Sequence, residues 1–500
     1  MLLDFARDLN PVRKVAALER DVIRVLVTIR LAMNQAAPIN RFPPEILTRT
    51  LEFREGDRDL ISATQVCHRW RSALSAAPSL WTEVVFRDSG RVLTYLTRSK
   101  ALPIDASFKP TRRSFETWKF DPEDFYTSRI PWIGRVKSLD IGGDEEQIEA
   151  IVRRLCLPAP LLQCLKFDGR PNRSMVWRSV GAVGFPHNFL GGQVPSLQSL
   201  SFNSISPTPT IRLPLPNLTS FTWIDKDSKV TLKELLTLLM SAPLLEVMNI
   251  HLRIRSVSTA ERTTVVTLNK LRELTWSNSG GSFSLTSCLI APELHWLSLR
   301  VAPAPESTQS DLASILPPHA GHFPLLVEPT EMRYITRRGY RTCDFTSETG
   351  YMRINVLPRN YDDATHWLSR DTPISFKRTR RVIMEEDYPQ LGEIPTEEFE
   401  SLESLELDWG AAAYFSMMRP YRLTLSGAPI IPFPTLSELR ATYNANLPLN
   451  ALVEVLMERK QAGHGIETVR IRGECAEPVG ELRSKLKELV GELAFDLVGP

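Results

Sequence analysis

Cysteine is scarce in this chain, with 6 residues among 500, and no two of them form a C-x-x-C pair. The closest two, Cys156 and Cys164, have seven residues between them. Neither a disulfide framework nor a zinc site has this spacing. We therefore expect free, mostly buried thiols in a protein of a reducing compartment.

Long apolar runs are also missing. The longest stretch without Lys, Arg, Asp or Glu is 179–211, and Gly, Pro, Ser and Asn interrupt it, so it is unsuited to crossing a bilayer. Asp4, Arg7 and Asp8 stand where a secretory signal peptide needs apolar residues. The sequence predicts no membrane span and no secretory signal, and we expect the protein in the cytoplasm, the nucleus or both.

Charge of one sign is not in excess. Sixty Lys and Arg against 58 Asp and Glu give a net charge of +2, which offers no bulk attraction to nucleic acid or to an anionic membrane. Acidic residues 385–387 soon follow the densest basic run, Lys377–Arg381. We favour a solvated loop there, with a nuclear signal or an anion patch as the alternative. Arg and Tyr interleave over 333–341, a pattern that could stack on bases, but we expect no nucleic-acid partner.

Catalytic motifs are absent from the sequence as well. It contains no G-x-S-x-G, H-E-x-x-H, Walker or G-x-G-x-x-G pattern. The eight histidines are scattered, and the close pair His319 and His322 has no cysteine or carboxylate at metal-ligand spacing. We expect no enzyme activity, no metal site and no cofactor. An active site within 300–400 is the alternative, which a pocket with converging titratable groups would support.

Residues 1–37 are predicted to be an N-terminal helical segment, with a helix over 12–33. Apolar residues recur there at a 3-4-3-4 spacing, which places them on one helical face. These residues are Val15, Leu18, Val22, Val25 and Ile29. A short coiled coil or a partner-binding helix is one interpretation. Because three heptads are few for a coiled coil, we favour a helix packed on its own protein.

Residues 38–88 are predicted to be a separate all-α domain of three short helices. Pro44 suits a first helical turn, Gly56-Asp57 interrupts the chain, and Pro78 ends the third helix. About 50 residues cannot bury so many large apolar side chains internally. The surplus, and Trp81 above all, predicts a permanent neighbour, either another domain or another protein.

A strand-like phrase recurs from about residue 130 onward. It reads P-x-L-x-x-Φ-x-Φ, where Φ is apolar; six copies carry the proline and four lack it. The central apolar residues lie 21 to 35 residues apart except for one interval of 108, which is close to the period of leucine-rich repeats. They are Leu139, Leu165, Leu200, Phe221, Met248, Leu274, Leu297, Leu405, Leu439 and Val469. Each copy predicts a short strand with one buried face.

Helical patterns lie between several of these phrases, at 144–155, 231–240 and 449–460. Strands that alternate with helices predict an α/β fold. For 89–500 we expect a leucine-rich-repeat-like solenoid, with parallel strands and outer helices.

The interval of 108 residues predicts an irregular insertion at about 300–400. We expect one irregular strand at 351–358 and long loops elsewhere, including the basic run. After the last phrase, 478–497 is amphipathic. We expect a single helix there that caps the final repeat, with a partner-binding helix as the alternative.

Residues 39–81 resemble an F-box of the kind found in many fungal F-box proteins. The matching features are Pro43-Pro44 before EIL at 45–47, DL at 59–60, VC-x-RW at 66–70 and PSLW at 78–81. Two departures exist: Phe42 stands where the family usually has leucine, and 54–58 makes the first inter-helix loop long and charged. The resemblance covers about 45 residues and implies a three-helix F-box domain.

An F-box binds the Skp-type adaptor of Skp–cullin–F-box ubiquitin ligases, so the resemblance implies that partner here and, through it, a cullin. Family members often carry leucine-rich repeats that capture a substrate. The implied function is a non-catalytic substrate-recognition subunit with an unknown protein target; the alternative is an interaction scaffold that works without a cullin. The candidate adaptor contacts, some of which must pack the domain itself, are Phe42, Pro43, Pro44, Ile46, Leu47, Leu51, Leu60, Val66, Cys67, Trp70, Leu80 and Trp81.

Overall fold

The structure, a computed structural model, divides into two compact units, Met1–Ser138 and Leu139–Pro500. The residues that it describes are 5–53, 57–86, 89–108, 132–169, 182–208, 213–225, 230–254, 264–278, 285–301, 316, 322–326, 328–337, 340–356, 374–386, 398–408, 415, 417–421, 430–443, 449–473 and 480–496.

The first unit is mainly helical. Its first helix, Phe5–Ala36, is longer than the predicted 12–33, whereas the helix at Pro44 begins where the sequence predicts. Pro44 occupies the first turn of its helix, where a missing N–H costs nothing. The helices and strands of this unit are α1 (Phe5–Ala36), α2 (Pro44–Glu52), α3 (Asp57–Val66), α4 (His68–Ser75), β1 (Glu83–Val85), α5 (Ser89–Arg98) and β2 (Ile104–Phe108). Short 3-10 turns cover Pro38–Arg41, Pro78–Trp81 and Trp132–Arg135. The predicted three-helix segment is therefore present as α2, α3 and α4.

The N-terminal helix α1 does not pack on its chain in the way we expected. Its large apolar side chains from Val12 to Met33 are exposed. Within the described residues it is tied down near its C-terminal end, where Asn40 Nδ2 donates to the carbonyl oxygen of Asn34 at 2.6 Å. For the part of the chain that the structure describes, the expectation of a helix packed on its own protein is therefore wrong.

The second unit is built on strands. Strand β3 (Val136–Gly143) spans the boundary of the two units. The strands after it are β4 (Cys164–Gly169), β5 (Ala182–Gly184), β6 (Ser199–Asn203), β7 (Ser206–Thr208), β8 (Ser220–Asp225), β9 (Val247–Leu252), β10 (Val266–Thr267), β11 (Glu273–Asn278), β12 (Leu289–Ile290), β13 (Trp296–Val301), β14 (Glu331–Arg337), β15 (Tyr340–Ser347), β16 (Gly350–Val356), β17 (Arg381–Glu386), β18 (Ser404–Asp408), β19 (Glu438–Tyr443), β20 (Thr468–Gly473) and β21 (Glu492–Asp496). The helices are α6 (Glu145–Val152), α7 (Leu232–Met240), α8 (Leu449–Gln461) and α9 (Gly480–Leu489).

One large sheet dominates this unit. Its neighbour order is β4-β6-β8-β9-β11-β13-β16-β15-β14-β17-β18-β19-β20-β21. Each pairing is parallel except the two that β15 makes. β5 with β7 and β10 with β12 form separate parallel pairs. The predicted parallel-strand α/β architecture is confirmed.

The register of the sheet follows the sequence phrase. The central apolar residues lie opposite one another along one buried row, as the alignment of the phrases requires. Leu165 pairs with Leu200, Leu200 with Phe221, and Phe221 with Met248; Leu405 pairs with Leu439, which pairs with Val469. A one-residue slip would turn these side chains to the other face, so the phrase determines both the strands and their pairing.

The proline of the phrase lies in a turn before the strand. In the first copy, the Leu162 N–H donates to the carbonyl oxygen of Ala159 at 3.2 Å, which closes a four-residue turn around Pro160. The same bond joins Leu197 to Val194 around Pro195. Proline suits the second turn position because its fixed φ matches that conformation. Leu162 and Leu197, each two residues after its proline, are buried.

The region at about 300–400 contains more of the sheet than we predicted. The strand expected at 351–358 is β16, but β14, β15 and β17 were not expected, and 381–386 was assigned to a loop. Met332, Met352 and Val382 are buried on the same row as the central leucines. The sequence did not reveal them because Pro329, Thr349 and Thr379 stand three residues before them, where every predicted copy of the phrase has Leu, Ile or Val.

The segment β14–β15–β16 is an antiparallel meander inside the parallel sheet. Gly350 opens β16 with φ +159°, and an added Cβ would collide with the backbone carbonyl of His295. The Tyr351 N–H donates to that same carbonyl oxygen at 2.8 Å. Glycine at this position therefore lets β16 join β13.

The basic run is partly the exposed loop that we favoured. Lys377, Arg378 and Arg380 are exposed and form ion pairs with Glu400, Glu328 and Glu403, respectively. Arg381 is instead the first residue of β17, so the run ends in the sheet.

The final segment is a helix followed by a strand, so the expectation of one helix over 478–497 is wrong. α9 ends at Leu489, and β21 pairs in parallel with β20. Gly491 lies between them, and the Glu492 N–H donates to the carbonyl oxygen of Glu467 at 2.8 Å. Glycine interrupts the helical pattern, and the sheet supplies a ladder for the residues that follow.

The predicted connecting helices are confirmed. Capping boxes begin two of them: Asp144 with Gln147 for α6, and Thr231 with Glu234 for α7. These reciprocal bonds satisfy backbone donors that the first helical turn leaves free.

Arg459 of α8 is fully buried. Its Nη1 donates to the carbonyl oxygens of Met418 at 3.2 Å and Pro432 at 2.6 Å, and its Nη2 donates to that of Phe433 at 2.8 Å. Burial lowers the pKa of Arg459 to about 10, so the side chain is still charged at neutral pH. The backbone carbonyls therefore solvate a buried guanidinium.

We expect Arg459→Lys to lower the free energy of unfolding by about 2 kcal/mol, because one ammonium cannot reproduce the guanidinium fork. Chemical denaturation of the full chain would measure the loss. The exposed Arg472 on β20 is the control, and Arg472→Lys should change stability by less than about 0.5 kcal/mol. Equal effects of the two substitutions would contradict this role for Arg459.

Described cysteines are free. Cys288 and Cys343 are buried, while Cys67, Cys156 and Cys164 are half-buried, so the expected burial holds for two of these five. Burial raises the pKa of Cys343 well above its usual value, and the Asp344 carboxylate adds to this effect.

Among the described helices, none combines the length and the apolar character that a membrane crossing needs.

Candidate functional site

The three helices of the first unit share a small core. α3 and α2 both pack against α4. The side chains that close this core are Leu47, Leu60, Ala63, Leu74 and Leu80. Three of these, Leu47, Leu60 and Leu80, were candidate adaptor contacts, and the structure places them inside the domain.

Hydrogen bonds from α4 hold the segment before α2 and the end of α3. Trp70 Nε1 donates to Asn40 Oδ1 at 2.6 Å, and Arg69 Nη2 donates to the carbonyl oxygen of Phe42 at 2.8 Å. Arg71 Nε donates to the carbonyl oxygen of Thr64 at 3.0 Å. Trp70 is half-buried. Its hydrogen bond to Asn40 holds the Pro38–Arg41 turn, so this candidate adaptor contact has a structural role.

The sequence predicts a permanent neighbour for Trp81, from another domain or another protein, and the structure provides one from the same chain. Trp81 is fully buried, and its Nε1 donates to the carbonyl oxygen of Leu74 at 2.8 Å. The ring of Tyr95 meets it edge to face at 4.9 Å, and the guanidinium of Arg98 lies 4.4 Å from its ring centroid. Both residues belong to α5, so this chain itself supplies the neighbour that covers Trp81.

Strands β1 and β2 extend this cover. They pair in parallel, and Phe86 stacks on Phe108 at a centroid distance of 3.9 Å. Trp132 lies 5.0 Å from Phe86. Part of the apolar surplus predicted for the three helices is therefore buried against residues that follow them in the same unit.

An apolar surface nevertheless remains open on the helices. Phe42 is 51% exposed, Ile46 47% and Val66 57%, at the start of α2 and the end of α3. Pro43 and Pro44 are exposed, while Leu51 and Cys67 are half-buried. Of the large apolar residues that the candidate set omits, Ile39 and Phe53 are also exposed. Large apolar side chains left in water on a small domain indicate a surface for a partner.

A second exposed cluster lies on the sheet of the other unit, where β13, β16 and β15 are neighbours. Trp296 is exposed and stacks on Tyr351 at a centroid distance of 4.6 Å. Arg353 Nε and Nη2 donate to the two carboxylate oxygens of Asp344 at 2.8 and 2.9 Å. The Arg353 guanidinium also lies 5.7 Å from the Tyr351 ring centroid. We call these four residues the aromatic–arginine cluster.

The cluster is held in one arrangement. Burial, the Asp344 charge and the hydrogen bond to Asp344 raise the pKa of Tyr351 to about 12, so its phenol is neutral and donates. Bidentate Arg–carboxylate pairs fix the plane of the guanidinium. Rigid Trp, Tyr and Arg side chains are the types enriched at the energetic centres of protein interfaces. The sequence did not reveal this cluster, because β14–β16 falls in the region that we assigned to an irregular insertion.

Ion pairs continue across the same sheet. Arg381 Nη2 lies 2.9 Å from a Glu406 oxygen, and Arg440 and Arg470 both approach Glu438. Arg333, from the segment in which Arg and Tyr interleave, pairs with Glu385. Exposed pairs of this kind contribute little to stability individually. They balance the charges of these four arginines with neighbouring glutamates.

In the described part of the chain, no three His, Cys, Asp or Glu side chains are grouped so as to hold a metal ion. Of the histidine pair singled out in the sequence, His322 is described and His319 lies outside the described residues.

Comparison with known protein families gives a match to the three helices of the first unit. No curated protein matches the chain. The model of the F-box-like family matches residues 39–87, which span α2, α3, α4 and β1. This chain therefore carries an F-box-like domain, and that domain includes the open apolar surface at Phe42, Ile46 and Val66.

Proposed function

We propose that this protein is a non-catalytic substrate-recognition subunit of a Skp–cullin–F-box ubiquitin ligase, which acts in the cytoplasm, the nucleus or both. F-box domains typically bind Skp-type adaptors, and this chain has such a domain at 39–87. The observation that carries the proposal is the exposure of Phe42, Ile46 and Val66 within that match. The adaptor is the proposed occupant of this surface.

The mechanism is proximity. The F-box-like domain is tethered through the adaptor to a cullin, and the second unit holds a protein target. Holding two reactants together replaces a bimolecular encounter with an effectively intramolecular one. Ubiquitin transfer itself belongs to other subunits of the ligase.

We propose that the second unit is a leucine-rich-repeat-like solenoid that captures the target with its strand face. The parallel strands in a common register support this interpretation. The aromatic–arginine cluster is the proposed centre of the contact, because its Trp, Tyr and Arg are exposed or half-buried and already ordered.

Replacing Trp296 by Ser should abolish recovery of proteins that depend on this unit. The full chain, tagged and purified from cells with the proteasome inhibited, would be analysed by mass spectrometry. Adaptor recovery should be unchanged, since Trp296 is not in the F-box-like domain. Met240→Ser on α7 is the control, because Met240 is also exposed and apolar. Identical sets of recovered targets for Trp296→Ser and the wild type would contradict the proposed contact.

A scaffold that uses the adaptor without a cullin is the alternative function. The same purification separates the two functions. Recovery of a cullin with the wild-type chain, but not with a variant that no longer binds the adaptor, supports the ligase. Recovery of the adaptor without any cullin would favour the scaffold.

A further inference from the structure

The helix α1 exposes an unusually large apolar surface. Eleven large apolar side chains between Val12 and Met33 are each 47–68% exposed. At 1.5 Å per residue, the 32 residues of α1 form a rod of about 48 Å. A helix that is apolar over so much of its surface is normally buried. We propose that a second copy of this chain covers one face of it, formed by five of these side chains, in a parallel two-stranded coiled coil. This pairing does not depend on the adaptor or on the proposed ligase function.

The spacing of the apolar residues defines the seam. Val15, Val22 and Ile29 take the first (a) position of three successive heptads, and Leu18 and Val25 take the fourth (d). β-branched residues at a with leucine at d favour two strands; the three a residues and Leu18 fit this pattern, and Val25 at d departs from it. All five side chains are exposed in the single chain and so are open to a second helix.

Charges beside the seam identify the occupant as another copy. In this register Lys14 is at position g and Glu19 is at position e, five residues later. In a parallel dimer a g residue lies beside the e residue of the next heptad on the other helix. Lys14 of each copy would therefore face Glu19 of the other. Neither residue has an ion-pair partner within the described part of the chain.

The remaining charge near the seam is already neutralised. Asp21, also at g, lies 3.4 Å from Arg24 Nη1 on its own helix. One sequence thus provides the apolar seam, two complementary charges and no unpaired like charge at these positions. A dimer would present two F-box-like domains and two strand faces together, which raises the avidity for a target with more than one binding segment.

Two substitutions of equal exposure test the seam. Val22 is 50% exposed and occupies position a, whereas Val27 is 49% exposed and occupies the outward position f. By sedimentation equilibrium the wild-type full chain should have twice the monomer mass of 56.6 kDa. Val22→Asp should give the monomer mass, and Val27→Asp should remain dimeric. A monomeric wild type, or equal effects of the two substitutions, would overturn the proposal.

Charge exchange tests the parallel pairing without altering the apolar seam. Lys14→Glu and Glu19→Lys should each weaken the homodimer by about tenfold, because attraction becomes repulsion at two symmetric positions. Mixing the two variants restores both pairs and should yield a heterodimer of wild-type affinity. Circular dichroism would show that helix content is unchanged in each variant. Failure of the mixture to form the heterodimer would overturn the parallel arrangement.

Discussion

Ile46→Asp should weaken binding of a Skp-type adaptor by at least about 30-fold, which corresponds to about 2 kcal/mol. Ile46 is 47% exposed in the first turn of α2. An adaptor that covers it would trap an unpaired carboxylate in an apolar interface, and this is costly. The domain itself should keep its stability, because a negative charge near a helix N-terminus is favourable. Isothermal titration calorimetry with purified adaptor would give the affinity, and thermal unfolding would give the stability.

The control for this experiment lies on a neighbouring helix. Leu93 of α5 is 50% exposed and falls outside the segment that matches the F-box-like family. Leu93→Asp introduces the same charge at similar exposure and should leave adaptor binding unchanged. If Ile46→Asp bound the adaptor as tightly as Leu93→Asp does, the start of α2 would not be the docking surface.

Trp81→Ala should lower the free energy of unfolding of the first unit by about 3–5 kcal/mol. The substitution removes a fully buried ring, its contacts with Tyr95 and Arg98, and the hydrogen bond from Nε1 to Leu74. Trp81→Phe keeps an aromatic ring and loses the hydrogen bond, so we expect about 1–2 kcal/mol. Near-ultraviolet circular dichroism in urea would follow the transition.

The two roles for Trp81 give opposite results. A core residue affects adaptor binding through stability, so Trp81→Phe, which should remain folded at low temperature, should bind the adaptor normally there. A docking residue would instead leave stability unchanged and reduce affinity. The second pattern would contradict the packing described for Trp81.

The strand phrase shows how much of the sheet could be predicted. Leu165, Leu200 and Phe221 pair as the phrases align, because burial of one face determines the register. That face is visible in the sequence as an alternation of apolar and polar residues. Met332 and Val382 lie on the same row but were missed. Each predicted copy of the phrase has Leu, Ile or Val three residues before its central residue, but Pro329 and Thr379 stand at that position here, so the local pattern did not reveal these strands.

The candidate site was predictable in composition but not in arrangement. Pro44, Gly56-Asp57 and Pro78 delimit three helices with an apolar surplus, yet the sequence does not say which of Phe42, Leu47 and Leu60 face inward. The structure buries the two leucines and exposes Phe42. The burial of Trp81 depends on Tyr95 and Arg98 of α5, and contacts between elements are not visible in the periodicity of either one.

The single reversed strand has a consequence for how this sheet tolerates insertion and deletion. Three strands, β16, β15 and β14, lie between β13 and β17, and the outer two run in the same direction as the rest of the sheet. β13 and β17 therefore point the same way, with Leu297 and Val382 at equivalent heights. A shorter chain without 331–356 would let these two strands pair directly in an unchanged frame. The strands outside the meander would then keep their present directions and register.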